Sequence, residues 1–330
     1  MACYRAAALC FALSLGLAMP AGAADDNRPP GILYALGTKF DKSFNESAYR
    51  GVERYKATTG IAAREIEITN ADQRLQALAA LVRGGAPVVV AVGFDQRDAV
   101  AAVADRYPKA RLVIIDTVVD KPNVESVVFR EGEGAFLVGI LGAMASKTGA
   151  IGYVGGMDMP IIRRIGAGYA AGARWAVPGI KLLRNFAGTT ESAFTDPARG
   201  AELARSQFDR GADVVFAAAG ITGYGALQAA KDRGKLAIGM DSNQDGFFPG
   251  AVLTSLLKHV DRAVFDAFMA ARGGTWRPGV RSLGLKEGGV DYSVDKYNEA
   301  LLTPAMRAKA EEARRLIVAD RLDPGKAAAR

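Results

Sequence analysis

The chain has 330 residues, half of them hydrophobic and 23% charged, which allows two ordinary cores and excludes a disordered polypeptide. Its 42 Lys and Arg against 35 Asp and Glu give a net charge of +7, but the signs are interleaved, so no nucleic-acid surface is expected. With a single histidine, and with both cysteines in the first ten residues, His-dependent triads, cysteine nucleophiles and the usual zinc sets are not expected in the folded protein.

Residues 1–23 read as a secretory signal peptide: Arg5 gives the positive start, Ala6 to Ala18 the apolar run, and Ala21-Gly22-Ala23 a small-residue cleavage site. Cleavage after Ala23 would remove Arg5, Cys3 and Cys10, leaving a cysteine-free chain of net charge +7 − 1 = +6. Leu9 is too large to precede a lipidated Cys10, and the apolar run continues past it. The expected product is therefore exported and not lipidated, with no membrane span beyond residue 23.

The first predicted strand is the apolar run Gly31 to Leu36, followed by the loop Gly37-Thr38-Lys39-Phe40-Asp41-Lys42-Ser43-Phe44-Asn45. Ser43 and Glu46 match an S-x-x-E capping box, opening a helix with Ala48, Val52 and Tyr55 on one face. A strand-loop-helix unit sets loop side chains at the carboxyl edge of a parallel sheet, where open α/β folds bind ligands. The loop is thus a candidate ligand wall, with an ordinary polar connection as the alternative.

The segment Arg83 to Gly93 then aligns without gaps with Arg210 to Gly220, revealing an internal repeat. An Asp-Arg pair follows each closing glycine at the same distance, Asp105-Arg106 and Asp232-Arg233, and apolar strands then lead into Asp116 and Asp241. Upstream, Tyr49, Gly51, Tyr55 and Gly60-Ile61 are echoed by Tyr169, Gly172, Trp175 and Gly179-Ile180. Each half alternates strands and helices, which demands right-handed crossovers and a parallel sheet covered on both faces. Two such lobes face each other most economically across a cleft, with Asp116 and Asp241 at equivalent strand ends on opposite walls.

Between the halves, Glu131 to Gly134 reads as a crossover and Ala135 to Ala145 as a buried, glycine-rich helix. The glycines from Gly166 to Gly172 resemble a dinucleotide fingerprint, but the spacing is wrong and no strand precedes them directly, so they read as close helix packing. Val252 to Met269 is expected to be helical, with His259 structural; a last helix is expected from Pro304 to Ala319, and residues 323–330 as a frayed tail.

Four motifs, in order, carry a resemblance: Phe40 to Ala48, Phe216 to Gly220, Gly239 to Gln244, and Val252 to Asp261. Together they resemble the basic membrane protein family, the purine-nucleoside receptors of ABC importers. The resemblance implies a type I periplasmic-binding-protein fold, α/β, with two Rossmann-like lobes joined by three crossover segments. Applied to the repeat, it gives a first lobe of 31–130 plus 250–280 and a second of 131–249 plus 281–322. It implies that Phe44 and Phe216 sandwich a purine, one from each lobe, and that Asp116 and Asn45 line the base end of the cleft. Asp241 is similar to the carboxylate that accepts from ribose hydroxyls, and Lys258 to its donor companion; Asp41 and Gly220 complete the expected ligand-binding set. Many relatives carry an aspartate at the end of the first strand, where this chain has Ala35. The implied protein is a periplasmic, monomeric, non-enzymatic receptor that needs no cofactor or metal, and its partners are a small purine-like ligand and an ABC transporter permease. An exported nucleoside hydrolase acting through Asp41 or Asp116, and a sensory ligand-binding module, stand as alternatives.

Overall fold

In the computed structural model, which describes residues 25–328, each half of the repeat forms its own sheet. The signal peptide and the lipidation question fall on residues outside this range. The first sheet contains β1 (Gly31–Leu33), β2 (Arg64–Ile66), β3 (Val89–Ala91), β4 (Leu112–Ile115), β5 (Val124–Phe129) and β11 (Gly279–Leu283). Its order is β11-β5-β4-β3-β1-β2, parallel throughout. The second contains β6 (Ala150–Met157), β7 (Lys181–Gly188), β8 (Val214–Ala218), β9 (Leu236–Asp241), β10 (Val252–Lys258) and β12 (Val290–Tyr292). Its order, β12-β10-β9-β8-β6-β7, repeats that of the first, and only β12 runs antiparallel to its neighbour. Central strands such as Val89–Ala91 and Val214–Ala218 are buried at every residue, as strands covered by helices on both faces must be.

The first sheet carries α1 (Phe44–Thr59), α2 (Arg74–Arg83), α3 (Arg97–Arg106) and α8 (Val260–Arg272). The second carries α4 (Glu131–Ala145), α5 (Pro160–Ala176), α6 (Pro197–Asp209), α7 (Ile221–Asp232), α9 (Pro304–Val318) and α10 (Pro324–Ala328). The chain passes between sheets three times: from β5 into α4, from β10 into α8, and from β11 into β12. The two halves thereby exchange helices. The α4 helix follows a first-sheet strand yet packs on α5, and α8 follows a second-sheet strand yet packs on α1. Each exchange needs a glycine at the crossing. A Cβ on Gly172 would run into the backbone oxygen of Phe136 in α4, and one on Gly51 into that of Asp261 in α8. These are equivalent positions in the repeat, and close packing, as read from the sequence, is what the Gly166–Gly172 stretch provides.

Three expectations are corrected. Residues 252–258 form a strand, not the start of a helix; the run Val-Leu-Thr-Ser-Leu-Leu-Lys is buried at all but one position and pairs with β9. A seven-residue apolar run buried on both faces has no period to separate strand from helix. That strand moves the lobe boundary: β10, Val252–Lys258, joins the second sheet, and β11, through Leu283, joins the first, in place of boundaries at 250 and 280. The tail is not frayed up to 328, because Asp323 accepts from the backbone N–H groups of Gly325 (2.9 Å) and Lys326 (3.3 Å) and starts α10 against α5. Among the described residues no helix is long and apolar enough to cross a membrane.

Candidate functional site

The loop after β1 is set by Asp41. Its carboxylate accepts from the backbone N–H groups of Ser43 (2.8 Å), Asn45 (2.9 Å) and Glu46 (3.0 Å), satisfying the orphan donors that open α1. The expected Ser43–Glu46 capping box does not form. Burial raises the Asp41 carboxyl, and the three backbone bonds work against that shift. Ser43, released from capping, donates to Asp241 Oδ2 across the cleft at 2.7 Å. Asn45 is equally occupied: Oδ1 accepts from Ala35 N–H (3.0 Å), and Nδ2 donates to the carbonyls of Ala35 and Thr38 (3.1 Å each). It braces the loop, and both of its amide hydrogens are used in doing so. Tyr34 and Lys39 both bond to Glu65, at 2.7 and 2.9 Å, and none of the three lines the cavity.

Between the lobes lies a cavity of about 350 Å³, within the range of small-molecule sites. The first lobe contributes Ala35, Asp41, Phe44, Asn45, Phe94, Asp95 and Asp116 to its wall, and the second contributes Ile161, Ile162, Ile165, Glu191, Phe194, Gly220, Asp241 and Lys258. Seven of the eight predicted site residues are thus brought together. Asp116 and Asp241 both hold positive φ, 74° and 68°, immediately after or at the end of equivalent strands, as the repeat predicts. Such a backbone is strained for an aspartate and is tolerated where the surroundings fix it.

Lys258, at the end of β10, is 3% exposed and donates to Asp116 Oδ2 at 2.5 Å; Glu131 Oε1 lies 3.1 Å from the same ammonium. Burial opposes the charged lysine, but Asp116, Glu131 and Asp241 outweigh it and raise its pKa. Asp241 has a neutral hydroxyl as its direct partner. Burial pushes its carboxyl up to about 6, against the pull of Lys258 and Ser43, while Asp116 and Asp41 push in the same direction as burial. Asp116 Oδ1 is buried with no hydrogen-bond partner among the described residues. The Phe44 ring stands 5.0 Å from the Lys258 ammonium, measured to its centroid.

Phe216 is the predicted residue that does not reach the cavity. It is fully buried against Tyr153 and Tyr169, with ring centroids 5.7 and 5.2 Å away. It lies two residues before the end of β8, whereas the cavity begins at Ala218, the strand's last residue, and continues with Ala219 and Gly220. At about 3.3 Å per residue, the ring sits roughly 7 Å too deep. The second-lobe ring at the cavity is Phe194, in the loop after β7, with Phe94 facing it from the first lobe at 6.5 Å. Phe194 stands in the polar run Thr190-Glu191-Ser192-Ala193-Phe194-Thr195-Asp196-Pro197, much as Phe44 stands in its own loop. An aromatic among turn residues, just before a helix start, was the signal that could have found it.

The model of the PnrA-like ABC transporter substrate-binding proteins matches residues 32–317. An uncharacterised lipoprotein of Pyrococcus horikoshii is 36% identical over 277 residues, 79% of this chain and 67% of its own. The ABC transporter nucleoside-binding protein BmpA of Lactococcus lactis is 30% identical over 82% of this chain and 83% of its own. Among solved structures, an ABC transporter solute-binding protein of Aeropyrum pernix superposes with a TM-score of 0.81 at 28% identity, covering 89% of this chain and 93% of its own. The two sheets, three crossovers and intervening cavity are the type I periplasmic-binding architecture. The chain belongs to the PnrA-like substrate-binding protein family of ABC transporters.

Proposed function

We propose that the protein captures a purine nucleoside, a free purine or a similar flat heterocycle between its lobes and delivers it to an ABC permease, acting as a periplasmic monomer. The observation that carries this reading is the composition of the cavity wall. Three phenylalanine rings, Phe44, Phe94 and Phe194, line a space also lined by Asp116, Asp241 and Lys258. Rings suit a flat heterocycle, and the unpartnered Asp116 Oδ1 suits an N–H or O–H donor on it. The Lactococcus relative's name supports the ligand class. Because both lobes supply wall residues, a bound ligand stabilises the closed arrangement by its differential affinity.

We read the site as non-enzymatic. Of the two carboxylates a nucleoside hydrolase would use, Asp41 holds three backbone N–H groups and Asp116 holds Lys258. Calorimetric titration with adenosine, guanosine, inosine and the free bases tests the reading. Saturable binding without release of base from a nucleoside supports it; heat from none of these compounds, or release of base, contradicts it.

A further inference from the structure

The crossovers all leave one end of the sheet order, from β5, β10 and β11, while β2 and β7 form the opposite edges. Arg74 follows β2 and Glu191 follows β7, so each stands at the end of its lobe farthest from the crossovers. There the two lobes touch through charge. Arg74 Nη2 donates to Glu191 Oε2 at 2.6 Å across the cleft and also to Asp95 Oδ2 of its own lobe. The side chains of Arg74 and Asp95 are 12% and 7% exposed and that of Glu191 32%. Asp95 and Glu191 both line the cavity, and the Phe94 and Phe194 rings meet beside them.

We propose that Arg74 is the clasp of the cleft, holding Asp95 of the first lobe to Glu191 of the second and so setting how long the lobes stay closed on a ligand. Rotation about the crossovers displaces this edge more than any point nearer the hinge, so a bond here resists opening over the largest movement. Asp95 fixes the guanidinium from within its own lobe, leaving the Glu191 contact as the one lost on opening. A planar guanidinium between two carboxylates gives charge-assisted bonds that a surface lysine pair would not match. Arg74 also neutralises acid at a rim where two carboxylates would otherwise repel each other. It acts on the ligand through the lobes and is a positioning residue.

The inference rests on the two-lobed closure and not on the identity of the ligand. The chain beyond residue 23 has no cysteine, so the exposed Lys109 and Arg205, one on each lobe, can be replaced by cysteine and spin-labelled. Pulsed dipolar spectroscopy on the ligand-free protein then reports the inter-lobe distance directly. Glu191→Gln is expected to raise the open population about tenfold relative to closed, the loss of one charge-assisted inter-lobe bond. High salt should open the parent and leave Glu191→Gln nearly unchanged, and Arg74→Gln added to Glu191→Gln should shift it little further. A distance distribution indifferent to Glu191→Gln at both low and high salt overturns the clasp, as does full additivity of the two substitutions. With a bound purine nucleoside, Glu191→Gln should release it about tenfold faster at unchanged association rate, and an unaltered release rate contradicts the proposal. Should no purine bind, the ligand assignment falls, while the ligand-free distances still decide the clasp.

Discussion

Asp116 and Asp241 occupy the same point of the repeat, share a left-handed backbone, and differ in what the opposite lobe offers them. Asp116 receives an ammonium, Lys258, and Asp241 receives a hydroxyl, Ser43. Duplication thus supplies two carboxylates that line one cavity, each held by a different kind of donor. Both partners come from across the cleft, so each lobe completes the other's aspartate. The rings are as unequal: Phe44 stands at the cavity in the first lobe, while the second lobe keeps Phe216 in its core and offers Phe194 from a loop.

The largest expected effect breaks the Asp116 side. Lys258→Met leaves Asp116 and Glu131 buried without their cation, which should cost about 3–5 kcal/mol in chemical denaturation. A loss below about 1 kcal/mol would mean that solvent already screens the pair. The two rings separate next. Phe216→Ala should destabilise the fold by about 3–5 kcal/mol through its cavity, and Phe216→Leu should leave ligand affinity nearly intact. Phe44→Ala should weaken affinity by about 2 kcal/mol with little change in melting temperature. The reverse pattern would return Phe216 to the site.

Asp241 is tested by pH. Its carboxyl sits at about 6 in the folded protein against an ordinary 3.8. Below 3.8 both states are protonated and burial carries no penalty. As pH rises from there to about 6 the unfolded chain ionises first, so the penalty grows and is complete above the folded value. Asp241→Asn should therefore gain on the parent with rising pH, by about 1 kcal/mol between pH 5 and 8. A stability difference that is flat with pH rejects the raised carboxyl. The smallest effect is on its hydroxyl partner: Ser43→Ala should cost about 1 kcal/mol, well below Lys258→Met, and equal losses would erase the contrast between the two aspartates.

Much of the architecture was legible in the chain because the repeat preserved it. The Arg83–Gly93 and Arg210–Gly220 segments gave two sheets of the same order, and the apolar runs after them placed both aspartates correctly. Local pattern failed where two explanations shared one signal. Ser43 and Glu46 match a capping box, but Asp41, two residues earlier, satisfies three backbone donors at once and wins. Asn45 looked available to a ligand, yet the bend at Ala35 and Thr38 consumes its amide. Residues 252–258 carried no period, and Phe216 carried no mark of its depth along the strand. The Arg74–Glu191 contact joins residues 117 positions apart, and nothing local to either residue announces it.

Whether one ligand is gripped by both lobes at this cavity is decided by the structure of the complex with a purine nucleoside. The heterocycle is expected within about 4 Å of the Phe44 ring, with a second-lobe contact through Phe194 or Asp241 and a donor of the ligand on Asp116 Oδ1. A nucleoside bound outside the cleft, or held by one lobe alone with Asp116 Oδ1 still unpartnered, would contradict it.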